Sequence, residues 1–206
     1  VLRTIGNIVS AEDADLVDKV LEHGVIKSLM TLGFTLNDKK TSIRKEACWT
    51  LSNITAGSRS QIDLAIKTGV FGAEMKSLLE TTEGKAFVLQ KETCYIVENL
   101  TTAGSIDQIR QVYDLNIVPS ICQLLDMEKH PEITKSSAHE VVSIALKSIA
   151  AFLRMSKASS GPEKKSVVEA IEQSGKAFIY RIAHDEGNDS NSVYAQNILD
   201  SYFDEH

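Results

Sequence analysis

One stretch of this chain occurs more than once, and the spacing of its copies limits the folds that the chain can adopt. The segment Arg44–Thr55 matches the segment Gln90–Thr101, and the matching residues Asn53 and Asn99 stand 46 residues apart. The same step backwards falls on Asn7. A repeat of this length predicts stacked helical units, because each unit can cover its apolar face only with a neighbour.

The outer copies differ from the two central ones. In the first copy, Arg3 stands where the central copies have an aromatic residue. The fourth copy, Ile144–Leu153, has Lys147 and Ala151 in place of the aromatic residue and the asparagine. The first copy begins at Val1 in the middle of a helix-like pattern, so we expect the chain to be cut out of a longer protein.

A second motif lies between these copies and marks the turn between two shorter helices. Each version ends a short helix with Gly or Asn, which tolerate the left-handed backbone at a helix C-terminus, and an apolar helical stretch follows. The four versions are Val20–Ile26, Ala65–Phe71, Val112–Val118 and Ala170–Lys176. Three helices in about 40–47 residues are typical of armadillo repeats, whereas tetratricopeptide and ankyrin repeats are shorter.

The repeats predict an all-α fold, a right-handed armadillo-repeat superhelix (α-solenoid) without a sheet, with at least nine helices at three per repeat. We predict a single solenoid over residues 1–206. Its segments are the end of a truncated repeat (1–10), three repeats (11–57, 58–104 and 105–157) and C-terminal capping helices (165–206). The predicted loops are Gly33–Thr41, Thr81–Val88 and Met127–Ser137, with a linker-like stretch at Ser156–Lys165.

The composition argues against several classes of function. The formal net charge of −6 disfavours a nucleic-acid partner, since the phosphate backbone would repel the chain. No apolar run is long enough to span a membrane. Neither the cysteines (Cys48, Cys94 and Cys122) nor the five histidines show a metal-binding spacing, and the acidic stretch Asp185–Asp189 lacks the full calcium pattern. With no nucleophile motif or phosphate loop either, we predict no enzyme activity, no metal and no cofactor.

On each central copy of the repeated helix, an acidic, an aromatic and an amide residue share one face, because residues three and seven apart lie close together. Stacked helices about 8–10 Å apart would align these residues as parallel ladders. Amides can bind the backbone of an extended peptide, aromatic faces attract Lys and Arg stems, and carboxylates receive the cationic heads. The ladders therefore predict a groove for a short Lys/Arg-rich peptide. They consist of Glu46, Trp49 and Asn53, and of Glu92, Tyr95 and Asn99.

Each member of the ladders also has a structural alternative. Trp49 could be a core residue, although its recurrence with Asn53 favours an exposed groove. Asn53 and Asn99 could brace loops, although a brace need not repeat at a fixed spacing. The carboxylates could form ordinary surface ion pairs with neighbouring lysines, which would contribute little. The residues in that last alternative are Glu46, Glu92, Lys45 and Lys91.

The segment Glu46–Gly57, with its Trp49 and Asn53, resembles the repeat core of the importin-α (karyopherin-α) family. The segment Leu2–Val9 is similar to the family's seventh repeat, in which Arg replaces Trp, and Ser192–Phe203 resembles the family's C-terminal end. The resemblance covers essentially the whole chain. It implies that the chain runs from the third helix of repeat seven through repeats eight, nine and ten to the cap.

This resemblance implies part of the family's minor site for nuclear-localisation peptides, without the sixth repeat that contributes to that site. Tyr95 stands where the family has Trp, which should weaken stacking. Lys147 and Ala151 remove the aromatic–amide pair from the last repeat, as the family also tends to do. The implied peptide-binding residues are Arg3, Asn7, Val9, Asp13, Glu46, Trp49, Ser52, Asn53, Glu92, Tyr95 and Asn99.

The function that the resemblance implies is that of a nuclear import adaptor shuttling between cytoplasm and nucleus. Its expected partners are cargo proteins with basic localisation peptides, a CAS-type exportin and, as further candidates, nucleoporins. Importin-β would bind only through an N-terminal segment that is absent here. The alternative is an armadillo or HEAT scaffold of adhesion or signalling type, which would need a basic groove for acidic peptides; Glu46 and Glu92 disfavour it.

Overall fold

The computed structural model describes residues 1–11, 13–35, 40–81, 87–126, 128, 134–158, 162–185 and 189–203. Within these ranges the chain forms thirteen α-helices and no β-strand, which confirms the predicted all-α class. None of the helices in this part of the chain is long and apolar enough to cross a membrane.

The chain divides into two compact units, Val1–Leu115 and Asn116–His206. The first unit contains α1 (Leu2–Val9), α2 (Ala14–Leu21), α3 (Val25–Met30) with a π-helical turn (Thr31–Thr35), α4 (Thr41–Thr55), α5 (Arg59–Thr68), α6 (Ala73–Glu80), α7 (Phe87–Ala103) and α8 (Ile106–Asp114). The second unit contains α9 (Val118–Gln123), α10 (Lys135–Ala158), α11 (Pro162–Ser174), α12 (Lys176–Ala183) and α13 (Ser190–Tyr202). The boundary between the units falls inside the predicted repeat 105–157, and the repeat boundaries themselves stay a prediction.

The copies of the repeated stretch in the first unit are the helices α1, α4 and α7. They lie side by side, with α1 packed against α4 and α4 against α7. The central helix α4 is buried on the sides that meet its neighbours, because small and aliphatic residues recur at helical spacing. Its fully buried apolar residues are Ala47, Cys48, Leu51 and Ile54.

In three of the four turn motifs, the Gly or Asn has the expected left-handed backbone. The φ angles are 72° at Gly24, 91° at Gly69 and 58° at Asn116. Two residues later, each motif places an apolar side chain in the core: Ile26, Phe71 and Val118 are all buried. The turn therefore changes the chain direction and anchors the following helix at once.

The glycine of the fourth turn motif has a different backbone conformation from the turn residues of the other three. Gly175 has a φ of −137°, which is not left-handed. A Cβ atom on Gly175 would lie only 2.6 Å from the Sγ of Cys122, so glycine here permits the close approach of α9. The left-handed turn predicted at this position is wrong, because packing rather than backbone conformation requires the glycine.

The loops and the linker are shorter than the sequence predicted. The predicted loop Gly33–Thr41 starts as a π-helical turn, and the predicted linker Ser156–Lys165 is helical at both ends. Pro162 begins α11, where the fixed φ of proline suits the first turn of a helix. Residues 36–39, 82–86, 127, 129–133, 159–161 and 186–188, which fall in the predicted loops, the linker and the acidic stretch, lie outside the described residues.

Two buried glutamines join neighbouring repeats in the first unit. Gln61 and Gln108 each complete a capping box with the serine three residues before them. The Nε2 of Gln61 also donates to the Oδ1 of Asp18 at 2.8 Å. The Nε2 of Gln108 donates to the Oδ1 of Asp63 and to the carbonyl oxygen of Arg59, both at 2.7 Å. One side chain therefore closes a helix N-terminus and attaches it to the preceding repeat.

We expect Gln108→Ala to lower the free energy of unfolding by about 1–3 kcal/mol, since it removes a cap and takes a donor away from the half-buried Asp63. The measurement is a urea titration followed by far-ultraviolet circular dichroism. Gln111 is exposed on the same helix, so Gln111→Ala is the matched control and should change stability by less than about 0.5 kcal/mol. Equal losses in the two variants would contradict the bridging role of Gln108.

Candidate functional site

The predicted site residues lie on or next to α1, α4 and α7. We call the outward side of these helices the third-helix surface and define it by Arg3, Glu46, Trp49, Asn53 and Tyr95. Arg3 is exposed and the other four are half-buried, so these side chains are at least partly open to solvent. Because α1, α4 and α7 are neighbours, one acidic and two aromatic side chains from adjacent repeats share this surface.

Arg3 binds two of the other members of this surface. Its Nε lies 2.6 Å from the Oε1 of Glu46. The Cζ of its guanidinium lies 5.5 Å from the centroid of the Trp49 ring, within the range of a cation–π contact. The side chain of Arg3 is 70 % exposed and that of Glu46 is 15 % exposed. An indole and a carboxylate on α4 therefore hold a guanidinium from the neighbouring helix.

The position of Trp49 depends on a glycine in α1. A Cβ atom on Gly6 would lie 2.5 Å from Cζ3 of Trp49 and 3.2 Å from its Cε3, so the indole rests directly on the α1 backbone. This contact leaves Trp49 half-buried. Its burial is therefore intermediate between that of a core residue and that of a residue in an exposed groove. Sequence reasoning did not assign a role to Gly6. The available signal was a glycine inside a helical pattern, which often marks a close approach.

The carboxylate of Glu92 is buried and lies 3.5 Å from the Nζ of Lys45, which belongs to the preceding third helix. The sequence suggested that Lys45 and Lys91 could pair with Glu46 and Glu92. In the structure, Lys45 pairs with Glu92, and Glu46 pairs with Arg3. Both pairs join one repeat to the next. Both the surface carboxylate of Glu46 and the buried carboxylate of Glu92 therefore already pair with cations of the chain itself.

The two asparagines of the ladders have different surroundings. The Nδ2 of Asn99 donates to the carbonyl oxygen of Ser52 at 2.8 Å, so Asn99 joins α7 to α4 rather than bracing a loop. The Nδ2 of Asn53 is buried and has no hydrogen-bond partner among the described residues. An unsatisfied buried donor of this kind costs about 1–3 kcal/mol. The side-chain amide of Asn99 thus donates to the backbone of α4, whereas the side-chain amide of Asn53 has a donor that is not used.

The remaining predicted residues are spread over different environments. Asn7 is exposed on α1. Asp13 is also exposed and caps α2, since its Oδ1 accepts a hydrogen bond from the backbone N–H of Leu16 at 3.0 Å. Val9 and Ser52 are only 6 % and 3 % exposed. The structure therefore does not bring the side chains of Val9 and Ser52 to the third-helix surface, because helical spacing turns both of them inward. The predicted site residue Glu92 is buried as well, at 7 % exposed.

The cysteines do not form a reactive centre. Burial raises the pKa of the Cys48 thiol to about 12 and that of the Cys122 thiol to about 11, and burial also raises the pKa of Cys94. Thiols with such values stay protonated at neutral pH, and the thiolate is the nucleophilic form. Among the described residues, no group of three or more His, Cys, Asp or Glu side chains could hold a metal ion.

Comparison with known families and proteins gives consistent matches. Residues 13–56 match the family model of the armadillo/beta-catenin-like repeat. Importin subunit alpha-1a of Oryza sativa subsp. japonica is 49 % identical over 71 residues, which are 34 % of this chain and 13 % of that protein. Importin subunit alpha-4 of Arabidopsis thaliana is 32 % identical over 177 residues, which are 83 % of this chain and 30 % of that protein. The chain thus spans less than a third of the length of either relative.

Solved structures show the same fold. A computationally designed armadillo repeat protein for modular peptide recognition superposes with a TM-score of 0.67 at 22 % identity, covering 94 % of this chain and 72 % of that one. A designed armadillo repeat protein in complex with the peptide (KR)4 gives a TM-score of 0.59 at 19 % identity, covering 98 % and 91 %. At such identities these structures show the fold alone. The family-model match and the sequence relatives place this chain among the armadillo-repeat proteins of the importin-α family.

Proposed function

We propose that this chain is part of a nuclear import adaptor and that its third-helix surface binds Lys/Arg-rich peptides of the nuclear-localisation type. The observation that carries the proposal is the contact of Arg3 with Trp49 and Glu46, at 5.5 Å from the ring centroid and 2.6 Å from the carboxylate. A surface that holds its own guanidinium between an indole and a carboxylate has the chemistry to hold a cation from a peptide.

Other features of the surface fit an extended peptide. The unsatisfied Nδ2 of Asn53 could donate to a peptide carbonyl after rotation about the terminal torsion of the side chain, which has a broad preference. Tyr95 supplies a second half-buried aromatic residue on the next helix. The net charge of −6 favours encounter with a basic partner. The designed armadillo protein in complex with (KR)4 shows that an armadillo fold is compatible with such a ligand.

The relatives are named importin alpha subunits, and the wider role proposed here follows from those names. We propose basic cargo proteins as partners, a CAS-type exportin and nucleoporins as further ones, and shuttling between cytoplasm and nucleus. Importin-β would require a segment outside the repeats of this chain. The alternative function, an armadillo or HEAT scaffold of adhesion or signalling type, would need a basic groove for acidic peptides. The carboxylates of Glu46 and Glu92 disfavour this alternative.

The direct test is to titrate the chain with a short peptide of alternating Lys and Arg, and with a charge-neutral version that has alanine at each cationic position. We expect a dissociation constant for the basic peptide in the micromolar range or weaker, because only a few contacts are available. A micromolar constant corresponds to a binding free energy of about −8 kcal/mol. Binding should weaken as salt rises, since exposed charge pairs are screened beyond about 8–10 Å. Trp49 is the single tryptophan of the chain, so its fluorescence reports occupancy of the surface. Equal affinity for the two peptides would reject the proposal.

A further inference from the structure

We infer that Arg3 is a built-in occupant of the third-helix surface and thereby determines which peptides bind there. Its guanidinium takes the position between Trp49 and Glu46 that a peptide cation would otherwise use. The inference rests on the proposed function and deepens it. It predicts that the chain restricts its own affinity for basic peptides.

The geometry leaves little room for a second cation beside Arg3. The Nε of Arg3 is 2.6 Å from the carboxylate of Glu46, and its guanidinium also lies over the Trp49 ring. Gly6, one helical turn after Arg3, supports the same ring. The α1 side of the indole is therefore covered by α1 itself. A peptide cation that approached this position would meet a like charge at close range, which is unfavourable.

The next position along the surface is different. It lies towards α7, which carries the half-buried Tyr95, and its carboxylate is Glu92. Lys45 lies 3.5 Å from that carboxylate, a longer separation than the 2.6 Å between Arg3 and Glu46. Because the carboxylate of Glu92 is buried, a cation at this position would contact the half-buried ring of Tyr95 rather than displace Lys45. The wild-type surface should therefore favour a peptide with a cation near Tyr95 and a neutral residue opposite Arg3.

The side chain of Arg3 can nevertheless leave its position between Trp49 and Glu46. It can therefore limit peptide binding at this position without blocking it permanently. Its side chain is 70 % exposed, and exposed ion pairs contribute little to stability. Removing it should open the position at Trp49 without damage to the core. A peptide with cations at alternate positions would then gain one more contact.

The test compares the wild-type chain with Arg3→Ala, using the fluorophore-labelled Lys/Arg peptide and anisotropy. We expect Arg3→Ala to bind about tenfold more tightly, the effect of one recovered cation position of this kind. Arg3→Lys, which keeps the charge but lacks the planar guanidinium, should fall between the two. Without any peptide, Trp49 of Arg3→Ala should be quenched more strongly by acrylamide, because the guanidinium no longer covers the ring.

The matched control is Lys19→Ala, which removes one exposed positive charge from α2 of the same unit. Its effect should stay below about twofold, as expected for a single exposed charge that salt screens. Tightening of similar size in both variants would mean that net charge alone acts, and would overturn the inference. Weaker binding by Arg3→Ala would overturn it too, since Arg3 would then contact the peptide.

The titrations of the wild type and of Arg3→Ala test the proposed function and the role of Arg3 separately. If neither the wild type nor Arg3→Ala prefers the basic peptide over its charge-neutral version, the proposed function is rejected and the inference falls with it. If the wild type shows that preference and Arg3→Ala does not bind more tightly, only the inference is rejected.

Discussion

In the Arg3→Ala chain, whose indole is open to the peptide, the further change Trp49→Ala is expected to weaken binding of the Lys/Arg peptide by about 5- to 30-fold. The indole is the flat apolar wall of the third-helix surface, and a desolvated cation on such a face gains about 1–2 kcal/mol. Because Trp49 is the only tryptophan, the variant has no intrinsic reporter. Its affinity has to be measured by anisotropy of the labelled peptide, at low and at physiological salt.

Two variants show whether the aromatic face is what matters. Trp49→Phe keeps a smaller face and should recover most of the affinity. Tyr180→Ala removes an aromatic side chain that is 58 % exposed on α12 of the second unit, and it should leave peptide binding unchanged. Circular dichroism has to show wild-type helicity for each variant. If a folded chain with both Arg3→Ala and Trp49→Ala bound as tightly as Arg3→Ala alone, the peptide would bind elsewhere.

Phe71→Ala is expected to lower the free energy of unfolding by about 3–5 kcal/mol, the range for a phenylalanine truncated in a packed core. Phe71 is fully buried between α5 and α6, two residues after the left-handed Gly69. The truncation leaves a cavity where the turn is anchored, and the surrounding helices can close it only in part. Urea unfolding followed by Trp49 fluorescence measures the loss in the same unit.

The control for this truncation is Leu64→Ala on α5. Leu64 is one of the exposed apolar residues of the same unit, so its removal should cost less than about 1 kcal/mol. Phe71→Leu retains most of the side-chain volume and should lie between the two. A cost below about 1 kcal/mol for Phe71→Ala would mean that the repeats do not share a packed core at this turn.

The repeated sequence pattern was sufficient to predict an all-helical chain and the backbone of three of the four turns between its shorter helices. Gly24, Gly69 and Asn116 have the left-handed backbone that their place at a helix end predicted. Such features are local, because they depend on residues within one or two turns of helix. Gly175 is the exception, since a contact with Cys122 from another helix requires it, and no local pattern contains that contact.

The sequence by itself determined that α4 and α7 each present an acidic, an aromatic and an amide residue on one face, since spacing along a helix decides which side chains share a face. Only the tertiary structure decided what those residues contact. Helical spacing does not say which neighbour a long side chain will reach, and Arg3 and Lys45 extend across a helix–helix interface to Glu46 and Glu92. Helical spacing also does not determine how closely two helices approach each other. The close approach of α1 and α4 places Trp49 on the backbone of Gly6.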